Sequence, residues 1–105
     1  IKPDHTCEII SLDSLIENQG TATKLLQKVF DIARTCSCKT VTVMTTNDNL
    51  KAIDFYQKRG FDKIRLHYNS VEKSRKIKPE IPLLGDHGIP LRHELEFEYD
   101  LKDHA

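Results

Sequence analysis

Glu17-Asn18-Gln19-Gly20-Thr21-Ala22-Thr23 brings a glycine, small side chains and capping residues to one place. The spacing predicts a helix over about 21–35 directly after it. The first amides of a helix have no partner within it, and the helix dipole is positive at that end. Backbone N–H groups there face an anion such as a phosphate. Gly20 lets the backbone come close, and Ala22 is small enough to do likewise. The segment is not the G-x-G-x-x-G of a dinucleotide fold, and it lacks the Gly-Lys-Ser/Thr of a P-loop. Read from these residues alone, an ordinary helix start that happens to contain a glycine has equal standing.

Other residues carry chemistry in their types. Tyr56 offers a phenol proton, though alone it reads as an amphipathic residue packing a helix with its hydroxyl at the surface. Glu8 shares a strand face with Ile10 and Leu12, and a solvated or salt-bridged carboxylate is the plainer account of it. His5-x-Cys7 and Cys36-x-Cys38 are zinc-ligand types, but the spacing is not C-x2-C and Cys38 opens a buried strand, so no metal site is expected. Lys73, Arg75, Lys76 and Lys78 form a basic run. Such a run is by default a solvated face, and it also attracts anionic groups. Arg92 and His93 stand just before the last strand, where they either line a pocket or remain ordinary polar residues of an edge.

The elements that must position these groups follow from periodicity. Residues 6–12 read as a strand, with 6, 8, 10 and 12 on one face. Residues 13–20 are a polar loop. Ala22, Leu25, Leu26, Val29, Phe30 and Ala33 make one helical stripe. Residues 39–45 are the clearest strand, with successive β-branched residues. Thr46-Asn47-Asp48-Asn49 is a turn and helix cap, residues 50–59 a short helix, and Gly60 its αL end. A strand is expected over 61–68, with Ile64 and Leu66 on one face. Residues 70–76 make a helical turn or two, and 78–90 an ordered loop rich in proline and glycine. Strict alternation over 91–101 makes a strand, with Leu95, Phe97, Tyr99 and Leu101 facing one way and Glu94, Glu96, Glu98 and Asp100 the other. The order is β-α-β-α-β, a long connection, then β. Helical crossovers make the first three strands parallel, and the last adds antiparallel.

Asn49-Leu-Lys-Ala-Ile-Asp-Phe-Tyr56-Gln-Lys-Arg-Gly60-Phe61 resembles the N-x-x-A-x-x-[FL]-Y-x-k-x-G-F signature of the GNAT acetyltransferase superfamily. At the matching distance upstream, residues 17–22 fall on that family's [QR]-x-x-G-x-[GA] loop for the pyrophosphate of acyl-CoA. Glu17 stands where the family has Gln or Arg, and Thr21 replaces a usual aliphatic residue. Residues 74–90 are similar to a bacterial subgroup. The resemblance covers about residues 6–68. It implies a GNAT-like mixed α/β sheet, with residues 6–12 as the family's fourth strand and the family's N-terminal β-α-α-β-β part absent. The chain, which opens at Ile1 rather than Met, thus reads as a trimmed or partial domain.

The resemblance also implies the activity, an N-acetyltransferase that moves acetyl from acetyl-CoA to an amine acceptor. Ile10 and Leu12 would pair with the pantetheine arm, and Asn18, Gln19, Gly20, Thr21, Ala22 and Thr23 would take the pyrophosphate. Asn49 would bond the pantetheine arm, Tyr56 would protonate the departing thiolate, and Glu8 would deprotonate the amine through water. The basic run would attract the 3′-phosphate of the coenzyme. A different class of reading is a non-catalytic coenzyme A-binding or interaction module left by loss of the N-terminal half.

Composition narrows the field. Lys+Arg 16 balances Asp+Glu 16 over 105 residues, so the chain lacks the basic excess of a nucleic-acid binder. No apolar run approaches a membrane span, and the first residues are polar rather than a signal sequence. Three cysteines, an odd number, fit a reducing cytoplasm better than a disulfide framework. A single small domain with an uncovered apolar first strand is expected to self-associate or to bind a partner that covers that strand.

Overall fold

The computed structural model describes residues 5–9 and 18–102. The order is β1 Thr6–Ile9, α1 Gln19–Thr35, β2 Thr40–Thr46, α2 Leu50–Lys58, β3 Asp62–His67, α3 Ser70–Ile77, a short 3-10 turn Asp86–Gly88, and β4 Glu94–Asp100. α1 begins two residues earlier than expected, because the Asn18 side chain accepts from Thr21 N–H and so closes the first turn around Gln19 and Gly20. Asn49 caps α2 in the same way, its side chain accepting from Ala52 N–H at 3.1 Å. Gly60, at φ 94°, turns the chain out of α2 in a conformation that a side chain would strain.

The four strands form one mixed sheet in the order β1-β2-β4-β3. β1 lies parallel to β2, and β4 is antiparallel to both β2 and β3. β3 therefore points the same way as β2, as a helical crossover requires, but it is not β2's neighbour. The last strand enters the middle of the sheet and separates them. Among the described residues β1 has β2 as its one strand neighbour.

α1 and α2 share one face of the sheet. Ala22, Leu26 and Ala33 of α1 and Ala52, Phe55 and Tyr56 of α2 form one cluster with Val41, Val43, Phe61, Phe97 and Leu101. Val29 and Phe30 pack beside it, and the Phe30 ring lies 4.3 Å from that of Tyr99. Leu25, expected in the stripe, lies at its margin and is exposed. The alternation in β4 follows expectation, with Phe97 fully buried among these side chains.

β3 departs from simple alternation. Lys63 is opposite Phe97 and Arg65 opposite Glu96, so Ile64 is an extra residue, a bulge. The bulge interrupts the alternation that was expected to set Ile64 and Leu66 on one face. Both are exposed at the sheet edge. No helix among the described residues is long and apolar enough to cross a membrane.

Candidate functional site

Because β1 and β2 are parallel, the segments leaving their carboxyl ends gather at one end of the sheet. α1 starts there after β1, and α2 starts there after β2. The crevice beyond the carboxyl ends of parallel strands is the usual place for a ligand in such folds.

At the start of α1, Asn18 Oδ1 accepts from Thr21 N–H at 3.3 Å, and the Asn18 carbonyl accepts from Ala22 N–H at 3.0 Å. The amides of Gln19 and Gly20 belong to the turn that helix geometry leaves without internal acceptors. Asn18, Gln19, Gly20 and Thr21 are all exposed. A Cβ placed on Gly20 would meet only Asn18 Oδ1, at an ordinary 3.8 Å. Neither backbone conformation nor packing within the chain therefore demands glycine here, and the effect of glycine is to leave the helix end bare. Ala22 is different, since it is wholly buried and its small size serves the packing of α1.

Thr23 is already engaged. Its Oγ1 accepts from Arg59 Nε at 3.2 Å and from Nη2 at 3.1 Å, while the guanidinium carbon lies 3.7 Å over the Phe55 ring. Arg59 thus brings a fixed positive charge to the first turns of α1. In the sequence Arg59 is one position of a motif, and its place just before Gly60 gives no separate signal.

Asn49 follows β2 at the same end of the sheet, with its carbonyl oxygen side committed to the α2 cap. Tyr56 lies two turns further along α2 and is fully enclosed. Its ring is 5.5 Å from those of Phe55 and Phe61 and 6.0 Å from Phe97. The hydroxyl is therefore not at the surface, where the plainer sequence account put it. Glu8 is exposed on β1 opposite Thr42, on the sheet face away from the helices, and so across the sheet from Tyr56. Ile10, Leu12 and Glu17 lie outside the described residues.

The basic run does not act as one patch. The Arg75 side chain is only 12% exposed and is spent inside the protein. It donates to the carbonyls of Ile81, Pro82 and Leu91 and to Glu72 Oε1. Arg75 is thus a clamp for the segment between α3 and β4, which corrects the reading of it as an anion attractor. Lys73, Lys76 and Lys78 remain exposed.

That segment is also tied to the end of β2. Asn47 Nδ2 donates to the Pro90 carbonyl, and Asn47 Oδ1 accepts from the amides of Arg92 and His93. Asp48 Oδ2 accepts from Asp86 N–H at 2.9 Å, and a Cβ on Gly85 would overlap the Asp48 carboxylate. The sequence placed Asn47 and Asp48 in a turn, but their partners, about forty residues away, carry no local signal. Arg92 and His93 sit at the rim, where His93 stacks on Tyr68 at 4.9 Å and Arg92 bonds Asn69 Oδ1 at 3.0 Å. On the helix side of the sheet, in β1, burial and then the proximity of Cys38 push the Cys7 thiol above its usual pKa and keep it protonated.

Comparison with known proteins agrees with this fold. The uncharacterized protein YxbD of Bacillus subtilis (strain 168) is 54% identical over 92 residues, which are 88% of this chain and 58% of that protein. The chain thus spans less than two thirds of the length of the curated relatives it matches. An IAA acetyltransferase from Bacillus cereus ATCC 14579 has the same fold with a TM-score of 0.78 at 20% identity, over 95% of this chain and 65% of that one. A Bacillus subtilis acetyltransferase solved in complex with CoA gives 0.73 at 20% identity, over 94% and 63%. Residues 2–61 match the model of the Acetyltransferase (GNAT) family. The chain belongs to the GNAT acetyltransferase family.

Proposed function

We propose that this chain carries the coenzyme-binding part of an N-acetyltransferase that transfers acetyl from acetyl-CoA to an amine. The observation that carries the reading is the bare, capped start of α1 beside the Asn49-capped start of α2, both at the carboxyl ends of the parallel pair β1 and β2. In this reading the amides of Gln19 and Gly20 receive the pyrophosphate, with the Arg59 charge close by. The pantetheine arm runs along Ile10 and Leu12 and reaches Asn49. The amine attacks the thioester carbonyl, charge develops on its oxygen, and backbone N–H groups at the strand end stabilise that charge. Glu8, on the polar face, draws in a cationic amine. Tyr56 hands its proton to the departing thiolate.

Calorimetric titration with acetyl-CoA tests the coenzyme site. Binding is expected in the wild-type protein, and Gly20→Glu should abolish it while preserving helix content. A carboxylate in the first turn suits the helix dipole but repels a pyrophosphate. Undiminished binding by this variant, or no binding by folded wild-type protein at millimolar ligand, rejects the site.

One observation favours coenzyme binding without transfer, the complete enclosure of Tyr56. Tyr56→Phe separates the two readings. It should lower kcat by about 100-fold, the usual worth of a general acid, and leave acetyl-CoA affinity unchanged. An unchanged kcat removes Tyr56 from the chemistry.

A further inference from the structure

The carboxylates of β4 alternate along the face turned away from α1 and α2. Glu96 among them is held by β3. His67 Nε2 lies 2.8 Å from Glu96 Oε1, and Arg65 Nη1 lies 3.6 Å from the same oxygen. An ionised carboxylate only accepts hydrogen bonds, so the proton in the His67–Glu96 bond sits on Nε2. In the neutral ring Nδ1 then carries the lone pair. Among the described residues no hydrogen bond to Nδ1 is present. The Glu96 side chain is 17% exposed and that of His67 33%, so the pair is shielded yet reachable.

Strand register locates this pair. β1 accompanies β2 as far as Ile9 opposite Val43. β2 then continues through Met44–Thr46 to its carboxyl end, paired with β4. Met44 is opposite Glu96, and Thr46 is opposite Glu94, which is opposite His67. The pair is thus level with the Met44–Thr46 stretch at the carboxyl end of β2. With strands about 4.8 Å apart, the Glu96 backbone is one strand from that stretch and the His67 backbone two. The His67 ring reaches back toward it to meet Glu96. Glu8 is on the same face but level with Thr42 and Glu98, one pleat short of that end.

We propose that His67, oriented by Glu96, is the base that deprotonates the acceptor, and that the acceptor is an alkylamine arriving as an ammonium ion. The proposal rests on the acetyltransferase reading and moves the proton from Glu8, where the sequence put it, to His67. His67 Nδ1 takes one proton from the ammonium group. The freed nitrogen lone pair forms the bond to the thioester carbonyl carbon, and the carbonyl π pair moves to oxygen. When that pair returns, the carbon–sulfur bond breaks with its electrons on sulfur. The second nitrogen proton passes to water, and one proton returns to sulfur as in the acetyltransferase reading. The products are the amide, the free thiol of CoA and protonated His67. Glu96 and Glu94 stabilise that imidazolium, and Arg65 opposes it.

Two amines of similar size test this. Benzylamine is an ammonium ion at neutral pH, whereas phenylhydrazine is already a free base there and needs no deprotonation before attack. Release of CoA thiol from acetyl-CoA is followed with each. His67→Gln should lower kcat/KM for benzylamine about 100-fold and leave phenylhydrazine nearly unchanged. Glu96→Gln should give a smaller loss of the same selectivity, and it carries the comparison if His67→Gln does not fold. Equal losses with both amines mean a structural role and overturn the proposal, as does an undiminished rate with benzylamine. Wild-type protein that releases no thiol with either amine overturns the transferase reading itself.

Discussion

The two faces of the sheet are made by the same strands and differ in nearly every property. On the helix side Val41, Val43 and Phe97 are almost wholly buried. On the other side Glu94, Glu96 and Glu98 alternate with them, each only half-buried, and no described helix joins the apolar cluster from that side. A strand turns successive side chains to opposite faces, so one sequence serves two demands at once. The helix face satisfies the hydrophobic effect and holds the fold. The polar face is under no such demand and is free to carry charge.

Substitutions on the two sides should therefore diverge. Phe97→Ala removes a fully buried ring that touches Tyr56, and should cost about 3–5 kcal/mol in urea unfolding. A loss below about 1 kcal/mol would mean that the helix face is not the core.

Arg75→Ala probes the segment outside both faces. It leaves three carbonyls and the Glu72 carboxylate without their donor, and should cost about 2 kcal/mol. Hydrogen exchange should quicken at the Gly85 and Leu91 amides, which bond within that segment, and not in β2. Uniform quickening would show that the clamp supports the whole domain.

Glu98→Gln sharpens the contrast from the polar side. Glu98 is opposite Asp62, and like charges directly across a sheet repel. The substitution should change stability by less than about 0.5 kcal/mol, toward greater stability, with the effect fading at high salt. A large loss would mean that the polar face is a second structural surface.

Much of the architecture was legible in the residues. The stripe of α1, the capping asparagines, Gly60 and the alternation of β4 are local signals, and each corresponds to an element that forms. The family signature from Asn49 to Phe61 lies on α2 and its exit, where local order and motif coincide. The start of α1 was legible for the same reason, because a capping asparagine and a glycine stand together in the chain. The bulge at Ile64 was not legible, since it exists only as a mismatch against β4. Nor was the internal use of Arg75, whose charge reads like that of its lysine neighbours until the Leu91 carbonyl is brought to it.

The sequence by itself determined which segments become helix or strand and which side of β4 is apolar, because those properties depend on neighbours within a few residues. Only the tertiary structure decided that β4 enters between β2 and β3, that Arg59 bonds Thr23, that Asn47 and Asp48 hold the segment before β4, and that Glu96 meets His67. Each of these depends on groups that are distant in the chain and are brought together by burial of the shared apolar face.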